Sequence, residues 1–76
     1  MKLDEIRKLV SLEAGVDITL ETRKRQVVYA RAIYYKLCKE FTMQSLSAIG
    51  REVEKDHATV LYGINLFDDV VSEREM

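Results

Sequence analysis

Residues 45–60 read SLSAIGREVEKDHATV, and this stretch decides the fold. The apolar residues of its first half lie at spacings of three and four, which is typical of a short helix packed on a core: Leu46, Ile49 and Val53. A tight polar break at Glu54 and Lys55 follows, and Asp56 opens a second segment. Two helices joined by so few residues cross at a steep angle, which is the outline of a helix-turn-helix.

The rest of the chain predicts the elements that surround this motif. Apolar side chains at helical spacing indicate four helices in all, at about residues 3–14, 24–41, 45–53 and 56–71. Gly15 is expected to end the first helix, because glycine readily adopts a left-handed conformation. A connector, residues 16–22, follows it, and the polar tail 72–76 is expected to fray. The chain is therefore predicted to be all-α, a single four-helix domain over residues 1–76.

Two long helices are each expected to bury one stripe of side chains. On the second helix the stripe comprises Val27, Ala30, Tyr34, Leu37 and Phe41, and on the last it comprises Val60, Leu61, Ile64, Phe67 and Val71. A second row on the second helix alternates cations with an aromatic residue: Lys24, Arg31, Tyr35 and Lys39. That row is compatible with lying along a phosphate backbone, although its tyrosine can equally be a packing residue.

Composition sets limits on the class of protein. A chain of 76 residues has a thin core, and it contains neither a signal peptide nor an apolar run near the length of a membrane span. The single Cys38 cannot form an internal disulfide and is interpreted as a small buried thiol. One His and one Cys give no metal set and no nucleophile with its base, so we expect no enzyme, cofactor or metal. A cytoplasmic location is expected.

Charge is unevenly distributed along a chain whose net charge is −1. Residues 23–39 carry six basic and no acidic side chains, whereas the segments before and after them are acidic. A local electropositive surface favours phosphate binding, because neutralised phosphates release counterions. The alternative is a solvated helix face.

The side chains at the start of the last helix suit contact with nucleic acid. Lys55 and free backbone N–H groups can bind phosphate, Thr59 can hydrogen-bond a base edge or a phosphate, and His57 can donate or accept. The methyl group of Ala58 can meet a thymine methyl. Asp56 is expected to cap the helix and to have mainly a positioning role.

These residues carry a resemblance to a known family. The runs SLSAIGREV and DHATVLYGI resemble the C-terminal DNA-binding domain (domain IV) of the bacterial replication initiator DnaA, a helix-turn-helix fold of the Trp-repressor-like class. The family's stretch is close to G-G-R-D-H-T-T-V-L and is followed by a small residue two positions on. The matching positions here are Asp56, His57, Thr59, Val60, Leu61 and Gly63. The segment RKRQVVYARAIYYKLCKEFT is similar to the family's basic loop and long helix, so the resemblance spans about residues 3–71.

The resemblance implies roles for particular residues. Arg23 or Arg25 matches an arginine that enters the minor groove, and Arg31 matches a helix residue that contacts DNA. Asp56, His57 and Thr59 match family residues that contact the major groove and the DNA backbone. The candidate DNA-binding set is Arg23, Lys24, Arg25, Arg31, Lys55, Asp56, His57, Ala58 and Thr59.

Departures from the family pattern predict altered recognition. Ala58 replaces a contact-making Thr or Ser, Ala32 lies where some members carry a polar contact residue, and the turn lacks two glycines, is one residue shorter and carries Glu54. No G-x-x-x-x-G-K-[ST] loop is present, so no nucleotide is expected to bind here. The chain is either an excised domain or a free-standing relative, and a helix start directly after Met1 favours a small natural protein of phage or bacterial origin.

The sequence therefore supports two hypotheses of different kinds. The first is sequence-selective binding of double-stranded DNA, related to replication initiation or its regulation, in a nucleoid-associated protein. The alternative is an interaction module with weakened DNA binding, a homodimer or a partner of a replication protein, that uses the apolar row Tyr62, Leu66 and Val70.

Overall fold

The computed structural model describes the backbone of residues 2–75 and the side chains of residues 2–70. It contains four α-helices: α1 (Leu3–Ala14), α2 (Arg25–Phe41), α3 (Leu46–Arg51) and α4 (His57–Glu75). The described residues contain no β-strand, so the predicted all-α, four-helix fold is confirmed. Helix α1 has the predicted bounds and α3 is shorter than predicted at both ends. Helix α4 continues to Glu75, although the sequence predicts a frayed tail from residue 72.

The helix ends follow from local chemistry. Gly15 has φ 71° and ψ 20°, the left-handed conformation predicted for it, and its N–H donates to the carbonyls of Ser11 and Leu12. Ser45 accepts a hydrogen bond from the Ala48 N–H at 3.1 Å and so starts α3. These caps fix where the chain changes direction before and after α2.

The core lies where α2 meets the other three helices and the connector. Its buried residues are Ile6, Val10, Ile18, Ala30, Tyr34, Tyr35, Cys38, Ile49, Val53, Val60 and Ile64. Among the described side chains of the predicted stripes, Phe41 and Leu61 are exposed instead. The side chain of Val71 lies outside the described residues. Phe41 is the last residue of α2, after which the chain leaves in an extended conformation. Leu61 follows the buried Val60, and one residue along a helix is a rotation of about 100° away from the core face.

Tyr34 links the long helix to the helix-turn-helix motif from inside the core. Its side chain is fully buried, and its hydroxyl donates to the Ile49 carbonyl at 2.9 Å. Cys38 lies one turn further along α2 and is also fully buried, as predicted. Burial raises the pKa of the Cys38 thiol to about 11, so the thiol stays protonated at neutral pH.

Helix α4 approaches α2 closely at a glycine. A Cβ atom at Gly63 would lie 2.4 Å from the Tyr35 ring, so any side chain here would push the two helices apart. Gly63 is one of the positions at which the chain matches the DnaA pattern. Its structural role is to let Tyr35 fill the space between α2 and α4.

A guanidinium holds the connector against α2. The Arg31 side chain is 7% exposed and donates to the carbonyls of Ile18 (2.8 Å), Thr22 (3.2 Å) and Leu20. Five donors in a rigid fork make arginine suited to binding several acceptors at once. Ile18 is fully buried, whereas Leu20 is exposed. The connector is therefore held by its backbone carbonyls and by the Ile18 side chain.

Replacing Arg31 with lysine should destabilise the fold. A lysine keeps the charge but cannot reproduce the fork, and hydrogen bonds to a charged group contribute about 1.5–3 kcal/mol. We expect Arg31→Lys to lower the free energy of unfolding by about that amount, measured by urea denaturation followed by circular dichroism. Arg25→Lys, at an exposed position of the same helix, is the control and should change it by less than about 0.5 kcal/mol. Equal effects of the two substitutions would contradict this role of Arg31.

Candidate nucleic-acid interface

The turn between α3 and α4 (residues 52–56) folds back tightly on α3. The N–H groups of Val53 and Lys55 both donate to the Gly50 carbonyl, at 3.0 and 2.8 Å. A Cβ atom at Gly50 would lie 2.3 Å from the Lys55 carbonyl oxygen, so this approach requires glycine. Glu54 has φ 58°, a left-handed conformation that a glycine adopts with less strain. The turn thus holds Lys55 and the start of α4 in a fixed position on α3.

The first turn of α4 presents three side chains to solvent. Asp56 Oδ1 accepts a hydrogen bond from the Thr59 N–H at 2.8 Å, which confirms its predicted capping role. That backbone hydrogen bond is the main reason why the pKa of Asp56 lies below its usual value. His57, Ala58 and Thr59 are all exposed. They project from the amino end of a helix, where the dipole is positive and attracts anions.

A groove runs between the connector and α4. It is lined by Glu21, Thr22, Arg23, Val28, Arg31, Tyr35, Lys55, Thr59, Tyr62, Gly63 and Leu66. Four residues of the predicted DNA-binding set therefore line one concave surface: Arg23, Arg31, Lys55 and Thr59. The first two come from the end of the connector and from α2, and the last two come from the turn and α4, so distant parts of the sequence meet here.

The remaining predicted residues lie outside the groove. Lys24 and Arg25 are exposed at the start of α2, where the Lys24 carbonyl accepts the first helical N–H groups. Asp56 and His57 line a shallow depression together with Ser47, Arg51, Glu54 and Lys55. Arg51 is an exposed cation that is not among the predicted DNA-binding residues. Its place at the end of α3, directly before the turn, is the sequence feature that could have identified it.

The structure corrects the predicted cationic row on α2. Arg31 and Tyr35 are 7% and 2% exposed, so this row does not face solvent along its length. The physical reason is that the connector packs on this face and its carbonyls take up the donors of Arg31. A DNA contact by Arg31 stays a prediction, which this geometry does not favour. Arg31 instead fixes the connector that ends beside Arg23.

The base of the groove includes a polar atom. The Tyr35 hydroxyl is buried and has no hydrogen-bond partner among the described residues. Burial raises the pKa of this hydroxyl, and the nearby Arg31 guanidinium partly opposes that shift. The groove is therefore aromatic at its base and charged at its edges.

An acidic side chain already contacts a predicted phosphate-binding residue. Glu21 Oε1 lies 2.9 Å from Lys55 Nζ, and this hydrogen bond is the main cause of a lowered Glu21 pKa. The two residues are 34 positions apart, so no local sequence pattern reveals the contact. Glu21 is a second residue of the candidate interface that the sequence analysis misses.

The apolar row predicted as a partner surface is only partly exposed. Tyr62 is 69% exposed, whereas Leu66 and Val70 are half-buried. Tyr62 and Leu66 also line the groove, next to Thr59. The row is therefore continuous with the candidate interface and does not form a separate flat patch.

Among the side chains of residues 2–70, no group of three or more His, Cys, Asp and Glu is placed to hold a metal ion. No helix of the described residues has both the length and the apolar character needed to cross a bilayer.

Comparisons with known proteins agree with the geometry. The family model described as the bacterial dnaA protein helix-turn-helix matches residues 3–66. A chromosomal replication initiator protein DnaA of Flavobacterium psychrophilum is 37% identical over 76 residues, which cover 95% of this chain and 16% of that protein. The corresponding protein of Bacteroides thetaiotaomicron is 46% identical over 65 residues, which cover 79% of this chain and 14% of that protein. No solved structure gives a significant match.

The extent of these matches defines what is shared. The chain spans about one sixth of the length of the relatives it matches, and the matched part contains α1, α2, α3 and most of α4. The four helices, the cap at Asp56 and the close approach at Gly63 all lie within it. The chain belongs to the bacterial DnaA helix-turn-helix family.

Proposed function

We propose that this chain binds double-stranded DNA sequence-selectively through its helix-turn-helix. One observation supports this above the others: the capped start of α4 exposes His57, Ala58 and Thr59 beside the cations of the groove. In helix-turn-helix proteins the amino end of the second helix enters the major groove, while neighbouring residues contact the backbone. The major groove of B-DNA is wide enough to admit an α-helix, and the exposed first turn of α4 suits contact with base edges there.

The proposed contacts follow from position and chemistry. His57 and Thr59 contact base edges or phosphates from α4, and Ala58 meets a thymine methyl. Arg23 extends from the end of the connector toward the backbone or the minor groove, with Lys24 and Arg25 beside it. Asp56 acts by positioning α4.

We further propose a role in replication initiation or its regulation. The relatives are chromosomal replication initiator proteins, but this sequence contains no G-x-x-x-x-G-K-[ST] loop and matches about one sixth of their length. The contribution proposed for this chain is therefore DNA recognition alone. Ala58 and Glu54 depart from the family's pattern, so the preferred sequence should differ from the usual origin box.

A second candidate function is a protein interaction or dimerisation module. The observation that favours it is the 69% exposure of Tyr62 at the head of the row that includes Leu66 and Val70. Sedimentation across a range of concentrations separates the two functions. A monomer that binds duplex DNA would remove the interaction module, and a concentration-dependent dimer with no DNA affinity would support it.

Binding should be salt-dependent and sequence-selective. If four to six phosphates are contacted, the log–log slope of affinity against salt should be roughly −3 to −6. Selection from random duplex DNA, followed by salt titration of the enriched sequence, measures both properties. Enrichment of a family-like box would support an initiator-related role, and a new consensus would support a regulator. Failure to bind any duplex at low salt would overturn the proposal.

Thr59 should contribute to selectivity. Thr59→Ala removes an exposed hydroxyl and should lower discrimination at one or two base pairs by about 1–3 kcal/mol, measured by competition among single-base variants of the selected site. Asn65→Ala is a matched control, because Asn65 is exposed on α4 but lies outside the lining of the groove. A uniform loss of affinity for all sequences would instead assign Thr59 to the phosphate backbone.

A further inference from the structure

An ion pair joins the connector to the turn at the edge of the groove. Glu21 Oε1 lies 2.9 Å from Lys55 Nζ, and the two side chains are 86% and 22% exposed. The Lys55 ammonium is thus the less accessible partner, with a carboxylate on its solvent side. Exposed ion pairs contribute little to folding, so this contact is not needed to hold the fold.

The backbone from which the Lys55 side chain extends is held rigidly. The Lys55 N–H donates to the Gly50 carbonyl at 2.8 Å, and its own carbonyl packs where a Cβ atom of Gly50 would be. Lys55 also lines the groove together with Arg23 and Thr59. A phosphate in contact with Thr59 and Arg23 would therefore meet the Lys55 ammonium, and with it the Glu21 carboxylate.

Two anions cannot both lie close to one ammonium without repelling each other. The carboxylate occupies one donor direction of the ammonium, and its charge repels a phosphate that approaches the others. Arg31 fixes the carbonyls of Leu20 and Thr22, the residues on either side of Glu21, so the backbone at Glu21 cannot easily move away. Release of Lys55 to a phosphate then requires the Glu21 side chain alone to swing into solvent.

We propose that Glu21 competes with DNA phosphate for Lys55 and so limits the affinity of this interface. The proposal rests on the DNA-binding function proposed above. Glu21 is an intramolecular anion that keeps Lys55 neutralised in the free protein. Binding then includes an exchange of one anion for another, which releases fewer counterions than a free lysine would.

The test is a comparison of glutamine variants of the full chain. Glu21→Gln should raise affinity for a selected or fixed-sequence duplex about three- to tenfold at low salt, and make the log–log salt slope more negative by about 0.9. Fluorescence anisotropy with a labelled duplex measures both quantities. Circular dichroism checks that each variant is folded.

Two variants separate competition from general charge repulsion. Glu54→Gln removes an exposed carboxylate next to Lys55 in the turn, but one that forms no ion pair among the described residues. It should give a smaller gain with the same slope as the parent. In Glu21→Gln/Lys55→Met the steeper slope should be lost, because the additional ion release comes from Lys55.

The experiment separates failure of the competition by Glu21 from failure of the proposed DNA-binding function. If the parent chain binds DNA but Glu21→Gln leaves affinity and slope unchanged, competition is excluded. The same conclusion follows if Glu54→Gln gives an equal gain and slope change, or if the steeper slope persists without Lys55. If neither the parent nor any variant binds a duplex at low salt, the proposed function itself is wrong.

Discussion

Backbone carbonyls that lose their contact with water on folding need hydrogen-bond donors. In the connector, one side chain supplies these donors to several carbonyls. Arg31 donates to three carbonyls within five residues of connector, and this contact holds the connector on α2. Ile18 can then enter the core, and the connector ends beside Arg23 at the groove. The relation of α1 to α2 and one wall of the candidate interface therefore depend on the same guanidinium.

Much of the fold could be predicted because its signals are local. Gly15 ends α1, Ser45 starts α3 and Asp56 caps α4, each through contacts within a few residues. Contacts between distant segments could not be predicted. In the sequence, Arg31 looks like one of several cations on an exposed helix face, because its acceptors belong to the connector. Glu21 likewise looks like an ordinary surface acid, because Lys55 is 34 residues away.

The turn positions the start of α4 without a glycine among residues 52–56. Gly50 on α3 allows the Lys55 carbonyl to approach, while Glu54 adopts the left-handed conformation. The turn therefore places α4 at some cost in backbone strain. The chemistry of the exposed first turn can vary, as Ala58 does, because the position of α4 depends on the buried contacts of Val60 and Gly63 and on the cap at Asp56.

The buried thiol on α2 also has a practical consequence. Cys38 is the single cysteine, it is wholly buried, and its raised pKa suppresses the thiolate at neutral pH. An alkylating reagent can reach it only when the contacts of α2 with the core open. The rate of thiol labelling therefore measures the frequency of opening of the unmodified chain. Comparing that rate with and without a bound partner reports whether binding at the surface stiffens the core beneath it.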